Sequence, residues 1–385
     1  MRNNFLVFGQ PLIEIDEINE VIDSLKKAWL GTGPKVHKFE MDFAKYKDIR
    51  YSAAVYSCTA GLHLSCLALG IKSGDEVITS AMTFAATVNA IVNAGAVPVI
   101  ADIDPITLNI DPVELEKKIT SKTKAIIPVH FAGRLCEMDT IMDISKNNKL
   151  HVIEDCAHAI ETEYNDKKSG TFGDLGVFSF YATKNLTTGE GGMIIGNDEE
   201  IISRIKKIAL HGLSKDAWTR FSDSGYKHYF VENVGFKYNM MDLQAAIGIH
   251  QLKRIENNLV RRNKIWESYN NLLKDFPITL PTKTASNSKH ARHLYTIRIN
   301  KERCGISRDK FLEEMTKRKI GIGVHYLAIP EHPFYRKEYG LNPNDYPHAT
   351  RYGRETVSLP ISPKITDQDI DDVIQAITET LKSVK

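Results

Sequence analysis

Charge excess, disulfide chemistry and long apolar runs are all missing from this sequence. The 385 residues carry 50 basic against 48 acidic side chains, a net +2. The strong basic surplus of a nucleic-acid or membrane-surface binder is therefore absent. No apolar run approaches the ~18 residues a membrane span needs. The N-terminus offers one Arg and only Phe5-Leu6-Val7-Phe8, too little for a signal peptide. Five cysteines (Cys58, Cys66, Cys136, Cys156, Cys304) form no CxxC pair and leave one over. That excludes a disulfide framework and a zinc cluster, and it points to a reducing cytoplasm. The histidines are scattered with no HExxH, so no metal site is expected.

What is present is ordinary globular chain, 42% hydrophobic and 25% charged, which leaves no room for a disordered or fibrous reading. At about 150 residues per domain the length suggests two to three domains' worth of chain. Through the first two-thirds, short apolar runs alternate with amphipathic segments. Strands are predicted at 53–57, 76–79, 97–101, 125–129, 151–154, 176–180 and 192–196. Helices 113–119 and 138–147 are the clearest between them, the first with Asp111 placed to cap and Pro112 at the opening position. Such alternation means a mostly parallel sheet covered on both faces. The last two strands, joined across 181–191, leave little space for a crossover helix, so that pair is open to an antiparallel connection. Beyond Met241 the texture changes. Residues 244–257, continuing to about 274, read as one long amphipathic helix, followed by a strand at 293–299 and helices at 308–317 and 368–382. The expectation is an α/β chain, with a seven-stranded large domain over 1–250 and a smaller C-terminal α+β domain over 251–385.

Open α/β sheets bind ligands beyond the C-terminal ends of their strands. After the first strand comes Ser57-Cys58-Thr59-Ala60-Gly61-Leu62, opening a helix whose free N–H groups suit a phosphate, with Thr59 able to cap it. GxGxxG and GxxxxGK[ST] are absent from this turn. After the second comes Thr83-Phe84, an aromatic that can stack on a planar ring, although most such Phe residues are core. The fifth ends in Glu154-Asp155-Cys156-Ala157-His158, and a buried Asp there needs a cationic partner such as a pyridinium N–H. The sixth runs from Ser179 into Lys184 and a Gly-rich turn, where a desolvated lysine can lose its proton and form an imine. Each signal alone is weak. In this order they make the set that pyridoxal 5′-phosphate (PLP) requires.

These residues resemble the sugar aminotransferases of the DegT/DnrJ/EryC1/StrS family over nearly the whole chain. The likeness includes Gly31-Thr32-Gly33-Pro34, Ser57–Leu62, Glu154-Asp155, the run from Ser179 to Gly192, Gly235–Ala246 and Ser358-Leu359-Pro360. The resemblance implies the PLP-dependent transferase class I fold. It makes Lys184 the imine-forming lysine and proton shuttle, and Asp155 the partner of the pyridine nitrogen. Phe84 and His158 would flank the ring, and Thr59, Ala60 and Ser179 would cradle the phosphate. Asn239 would reach the phosphate of the neighbouring subunit in a homodimer with shared active sites. Two departures are mild: Cys58 stands where Gly is common, and His158 where Gln also occurs. The implied substrates are glutamate, leaving as 2-oxoglutarate, and a nucleotide-linked keto-deoxy sugar. Trp29–Pro34 and His325-Tyr326 look more like members aminating C4 than C3. A PLP-dependent sugar dehydratase is the competing reading within the fold, but dehydrating relatives replace the lysine with His. A PLP-binding regulator would need a DNA-binding extension, and a nicotinamide oxidoreductase the missing GxGxxG.

Overall fold

The computed structural model describes residues 2–214 and 228–382. Two helices, α1 (Ile15–Lys26) and α2 (Pro34–Lys47), precede the alternating region. It runs β1 (Tyr51–Val55), α3 (Cys58–Ala68), β2 (Glu76–Ser80), α4 (Ala85–Asn93), β3 (Val97–Ala101), α5 (Pro112–Lys117), β4 (Thr123–Ile127), α6 (Met138–Asn148) and β5 (His151–Asp155). A small hairpin, β6 (Glu163–Tyr164) and β7 (Lys167–Lys168), turns through Asn165 and Asp166, both at positive φ. Asn and Asp tolerate that left-handed geometry, which two-residue hairpins require. Next come β8 (Leu175–Ser179), β9 (Gly192–Gly196) and α7 (Glu199–Ala209).

The seven long strands form one sheet in the order β1-β9-β8-β5-β4-β2-β3. Only β9 runs against its neighbours, β8 and β1, the antiparallel arrangement to which the short link before it was open. Asp111 caps α5 by accepting from Val113 N–H at 2.8 Å. Strand ends shift by one or two residues from the sequence expectation, except at Val97–Ala101 and Gly192–Gly196, which agree. Apolar layers cover both faces. Leu62, Ile91, Val177 and Ile205 lie in one, and Phe39, Phe43, Phe178 and Ile249 in the other.

The expected single long helix is two. α8 (Asp242–Lys253) ends at Arg254, whose φ −108° and ψ 9° are non-helical, and α9 (Ile255–Leu273) follows it. The two halves serve different cores. α8 packs on α1 and α2, whereas Ile265, Trp266, Tyr269 and Leu273 of α9 join a separate cluster with Tyr295, Phe311, Val357 and Ile377. That cluster surrounds an antiparallel pair, β11 (Tyr295–Arg298) with β12 (Thr356–Leu359), while the short β10 (Ser288–Lys289) extends the β6–β7 hairpin. Around it stand α10 (Lys301–Cys304), α11 (Arg308–Lys317) and α14 (Asp367–Lys382). Between them, α12 (Pro333–Tyr339) and α13 (Pro347–Glu355) return to the large sheet. Tyr335, Tyr346 and Tyr352 pack there against Met82, Val88 and Phe131. This return carries His325 and Tyr326 over the strand ends.

α1 is turned inside out. Glu17 and Ser24 are buried, while Ile15, Ile18, Ile22 and Leu25 form an exposed stripe at helical spacing. Its inner face is polar: Glu17 pairs with Arg254, Glu20 pairs with Lys35 at 2.8 Å, and His250 Nε2 lies 2.9 Å from Glu20 Oε2. Among the described residues no helix is long and apolar enough to cross a membrane.

Candidate functional site

Strands β1, β2, β5 and β8 end at one edge of the sheet, and β9 begins there, with Gly192 paired to both Val55 and Ser179. A Cβ on Gly192 would stand 2.7–2.9 Å from the backbone of Ser57, Cys58 and Phe178. Only glycine lets β9 come this close to the start of α3. Beyond this edge lies a cavity of about 420 Å³, lined by Ser57, Thr59, Thr83, Phe84, Thr87, Asp155, His158, Ser179, Lys184, His325 and Tyr326, among others.

At the α3 end the cap is Ser57, not Thr59. Ser57 is extended, and its Oγ accepts from Ala60 N–H at 3.1 Å. Thr59 already lies inside the helix, so its backbone cannot take the extended capping geometry, and the residue lines the cavity instead. Ala60 is buried, its N–H is spent on the cap, and it is not part of the cavity wall.

Phe84, at the N-cap of α4, is 60% exposed, so it is not core; its ring faces the cavity 5.7 Å from that of Tyr326. Asp155 ends β5, buried. Its carboxylate accepts from Thr87 Oγ1 at 2.8 Å and Ala157 N–H at 3.1 Å, and among the described residues it has no salt-bridge partner. Burial pushes its carboxyl up from the usual range, with the Thr87 and Ala157 hydrogen bonds and the Lys184 charge opposing. Lys184 sits in the turn after β8, its backbone N–H donated to Tyr181 C=O at 2.9 Å. Burial lowers its amine to about 8, against the opposing pull of Cys58 and Asp155. Ser179 ends β8 at the cavity, its Oγ accepting from Tyr181 N–H at 3.4 Å. His158 is buried between His293, ring centroids 4.4 Å apart, and Tyr326, whose Oη lies 2.9 Å from Nε2.

Asn239 stands apart. It bridges β1 at Val55, its Nδ2 donates to Thr32 Oγ1 at 2.6 Å, and among the described residues its buried Oδ1 has no partner. Within one chain it does not line the cavity. Thr87 and Tyr326 were not singled out as site residues in the sequence. Thr87 had a signal: it lies four residues after Thr83 on one face of a helix start, and the two hydroxyls meet at 2.7 Å. Tyr326 had only its place in the family resemblance.

Comparisons with known proteins find relatives along nearly the whole chain. The chain is 45% identical to the spore coat polysaccharide biosynthesis protein SpsC of Bacillus subtilis, over 99% of its own length and 98% of that protein. Its structure is similar to Spr1654 of Streptococcus pneumoniae, assigned as a sugar aminotransferase, in the PLP form: TM-score 0.91, 30% identity, 99% and 100% of the two chains covered. It is also similar to Helicobacter pylori PseC, an aminotransferase involved in the biosynthesis of pseudoaminic acid: TM-score 0.90, 27% identity, 99% and 100% covered. A family model matches residues 11–378. The chain belongs to the DegT/DnrJ/EryC1/StrS aminotransferase family, whose members use PLP.

Proposed function

We propose that this chain moves an amino group from glutamate to C4 of a nucleotide-linked keto-deoxy sugar. The observation that carries the reading is the buried Asp155 carboxylate, served by two neutral donors and, among the described residues, by no salt-bridging cation, in one cavity with the amine of Lys184. A ring N–H cation is the partner such a carboxylate lacks, so the donor set fits PLP. When bound, that cofactor supplies an aldehyde and an electron-withdrawing ring. Asp155 holds a proton on the ring nitrogen. Lys184 Nζ, made less basic by burial, would hold the cofactor covalently until the donor amine displaces it, and the freed amine would then take and return a proton at the donor Cα. The start of α3, with Thr59 and Ser179, binds the phosphate, and Phe84 and His158 flank the ring. Residues 1–250 carry most of the site, and 251–385 return His325 and Tyr326 to it.

The same reading makes the active unit a homodimer, in which Asn239 completes the partner's phosphate site. The outward apolar stripe of α1 supports a second copy as its cover. The roles of SpsC in polysaccharide and of PseC in pseudoaminic acid biosynthesis support a sugar acceptor. Five free, buried cysteines support a cytoplasmic home.

The test is a panel of nucleotide-linked 4-keto and 3-keto sugars with glutamate and PLP, read as 2-oxoglutarate formed. Turnover is expected with 4-keto sugars; turnover with 3-keto sugars alone would overturn the C4 assignment. For the shared site, Lys184→Ala and Asn239→Ala chains are mixed under conditions where subunits exchange. Each mixed dimer then holds one site with both lesions and one with neither, so activity returns. Confirmed exchange without recovery sinks the shared site.

A further inference from the structure

Tyr326 enters the cavity from the C-terminal part of the chain and is held there on several sides. Its ring lies 5.7 Å from that of Phe84, edge-on to Phe131 at 6.2 Å, and nearly parallel to His158 at 6.0 Å. Its backbone N–H donates to Met82 Sδ at 3.4 Å. The direction of its hydroxyl proton follows from His158. Ala132 N–H donates to His158 Nδ1 at 3.2 Å, so Nδ1 carries a lone pair. Burial, with the charge of Lys184 and the nearby His293 and His325, holds His158 well below the usual imidazole range. The ring is therefore neutral, and its one proton is on Nε2. Nε2 lies 2.9 Å from Tyr326 Oη, so His158 donates and the phenol oxygen accepts.

The phenol proton of Tyr326 is thus not spent on His158. Among the described residues Oη has no other hydrogen-bond partner. The phenol also stays protonated, because burial, with the nearby Asp155 carboxylate, raises it above its ordinary value. The other ionisable groups lining the same cavity are His158, His325, Asp155, Glu190, Cys58, Tyr181 and Lys184. Of these, Asp155 already accepts from Thr87 and Ala157.

We infer that Tyr326 donates a hydrogen bond to an oxygen bound in the cavity, aimed by the Nε2–H tautomer of His158. Resting on the PLP reading above, that oxygen has two sources: the ring oxygen of the cofactor or the keto oxygen of the acceptor sugar. Both carry negative charge in the bound or reacting state, and a fixed neutral donor suits both.

The experiment compares PLP-loaded wild type with Tyr326→Phe. It follows the visible band against pH without substrate, then each half-reaction in single turnover. If the acceptor is the ring oxygen, losing the donor leaves more charge there, the neighbouring proton is held more tightly, and the band's pH midpoint rises. The rise is about one to two pH units, the worth of one hydrogen bond to a charged group. If the acceptor is the sugar's keto oxygen, the midpoint stays. The sugar half-reaction then slows by about tenfold or more, and the glutamate half-reaction changes less than about twofold. Should Tyr326→Phe fail to fold, 3-fluorotyrosine at position 326 serves instead: its more acidic phenol donates more strongly and moves the same readouts the opposite way. An unmoved midpoint with any other kinetic pattern overturns the inference. Absence of a visible band in the wild type sinks the PLP reading, and this inference with it.

Discussion

Glu154 and Asp155 are neighbours on β5, both buried and pointing to opposite faces of the sheet. Glu154 faces a closed network. His130 Nε2 lies 2.9 Å from Oε2, and the N–H groups of Gly170, Phe172 and Gly173 donate at 2.7–2.8 Å. Burial would raise Glu154, but the bonds from His130, Gly173 and Gly170 outweigh it and hold the carboxyl low. Cys136 N–H occupies the other nitrogen of His130. This cluster, which with Cys156 lies within 4.8 Å, therefore has little lone-pair capacity left for a metal. Asp155 faces the open cavity with two donors, and burial wins. A carboxylate whose bonds are complete holds the fold together, and one whose bonds are incomplete at a cavity is a candidate ligand partner.

The comparison is sharpened most by Lys184→Ala, the cation across the cavity from Asp155. It should lower transamination by at least ~10²–10⁴-fold, since the covalent link and the proton carrier go together. Borohydride reduction of the PLP-loaded wild type followed by peptide mapping should find the pyridoxyl adduct on Lys184; an adduct on another lysine would reassign the role. Next come the two acids themselves. Asp155→Asn should cut kcat by roughly 10²-fold while PLP stays bound. It should not lower the stability of the cofactor-free protein. A carboxyl raised by burial contributes stability only at low pH and loses it as pH rises through its folded value, so the neutral amide removes a cost.

Glu154→Gln should do the reverse. It loses about 3 kcal/mol by denaturant titration, because an amide N–H₂ must face donors, with little change in turnover of the folded fraction. The stability from Glu154 is present above the ordinary carboxylate range and fades as pH falls through its lowered folded value. Equal effects of the two substitutions on both readouts would erase the distinction.

A pH profile comes third. With its amine near 8, roughly a tenth of Lys184 is neutral at pH 7, against fewer than about one in a thousand for an ordinary lysine. The rate of PLP uptake by cofactor-free protein, followed by stopped-flow absorbance, should rise about tenfold from pH 7 to 9. A rate still climbing steeply at pH 10 would contradict the lowered amine. The smallest effect is expected from Thr87→Val, which removes one of the two donors to Asp155. A loss of roughly three- to tenfold in kcat, at the scale of one hydrogen bond, is the expected result.

Much of the fold was legible in local chemistry. Seven apolar runs became the seven strands of the sheet, Asp111 and Pro112 opened a helix, and the short 181–191 link gave the antiparallel pair. The break at Arg254 was not legible, because the apolar periodicity continues through it. What divides the helix is that its halves are claimed by different cores, with Arg254 tied to Leu12 C=O at 2.9 Å and to Glu14 at 3.0 Å. The choice of Ser57 over Thr59 as cap turned on backbone angles that neither hydroxyl reveals.

What the sequence determined by itself was the order of parts along the edge of a sheet: Ser57 and Thr59, Phe84, Asp155, Ser179, Lys184. Strand periodicity and the rule that ligands lie beyond strand ends bring such residues together whatever the details of packing. Only the tertiary structure decided which acid is spent and which is free. It also turned Asn239 away from its own chain's cavity and carried Tyr326 across from the C-terminal part to meet His158. Those outcomes depend on partners far apart in sequence, such as His130 for Glu154 and Ala132 for His158. A hydrogen bond's donor and acceptor are assigned only when both ends, and everything else competing for them, occupy one place.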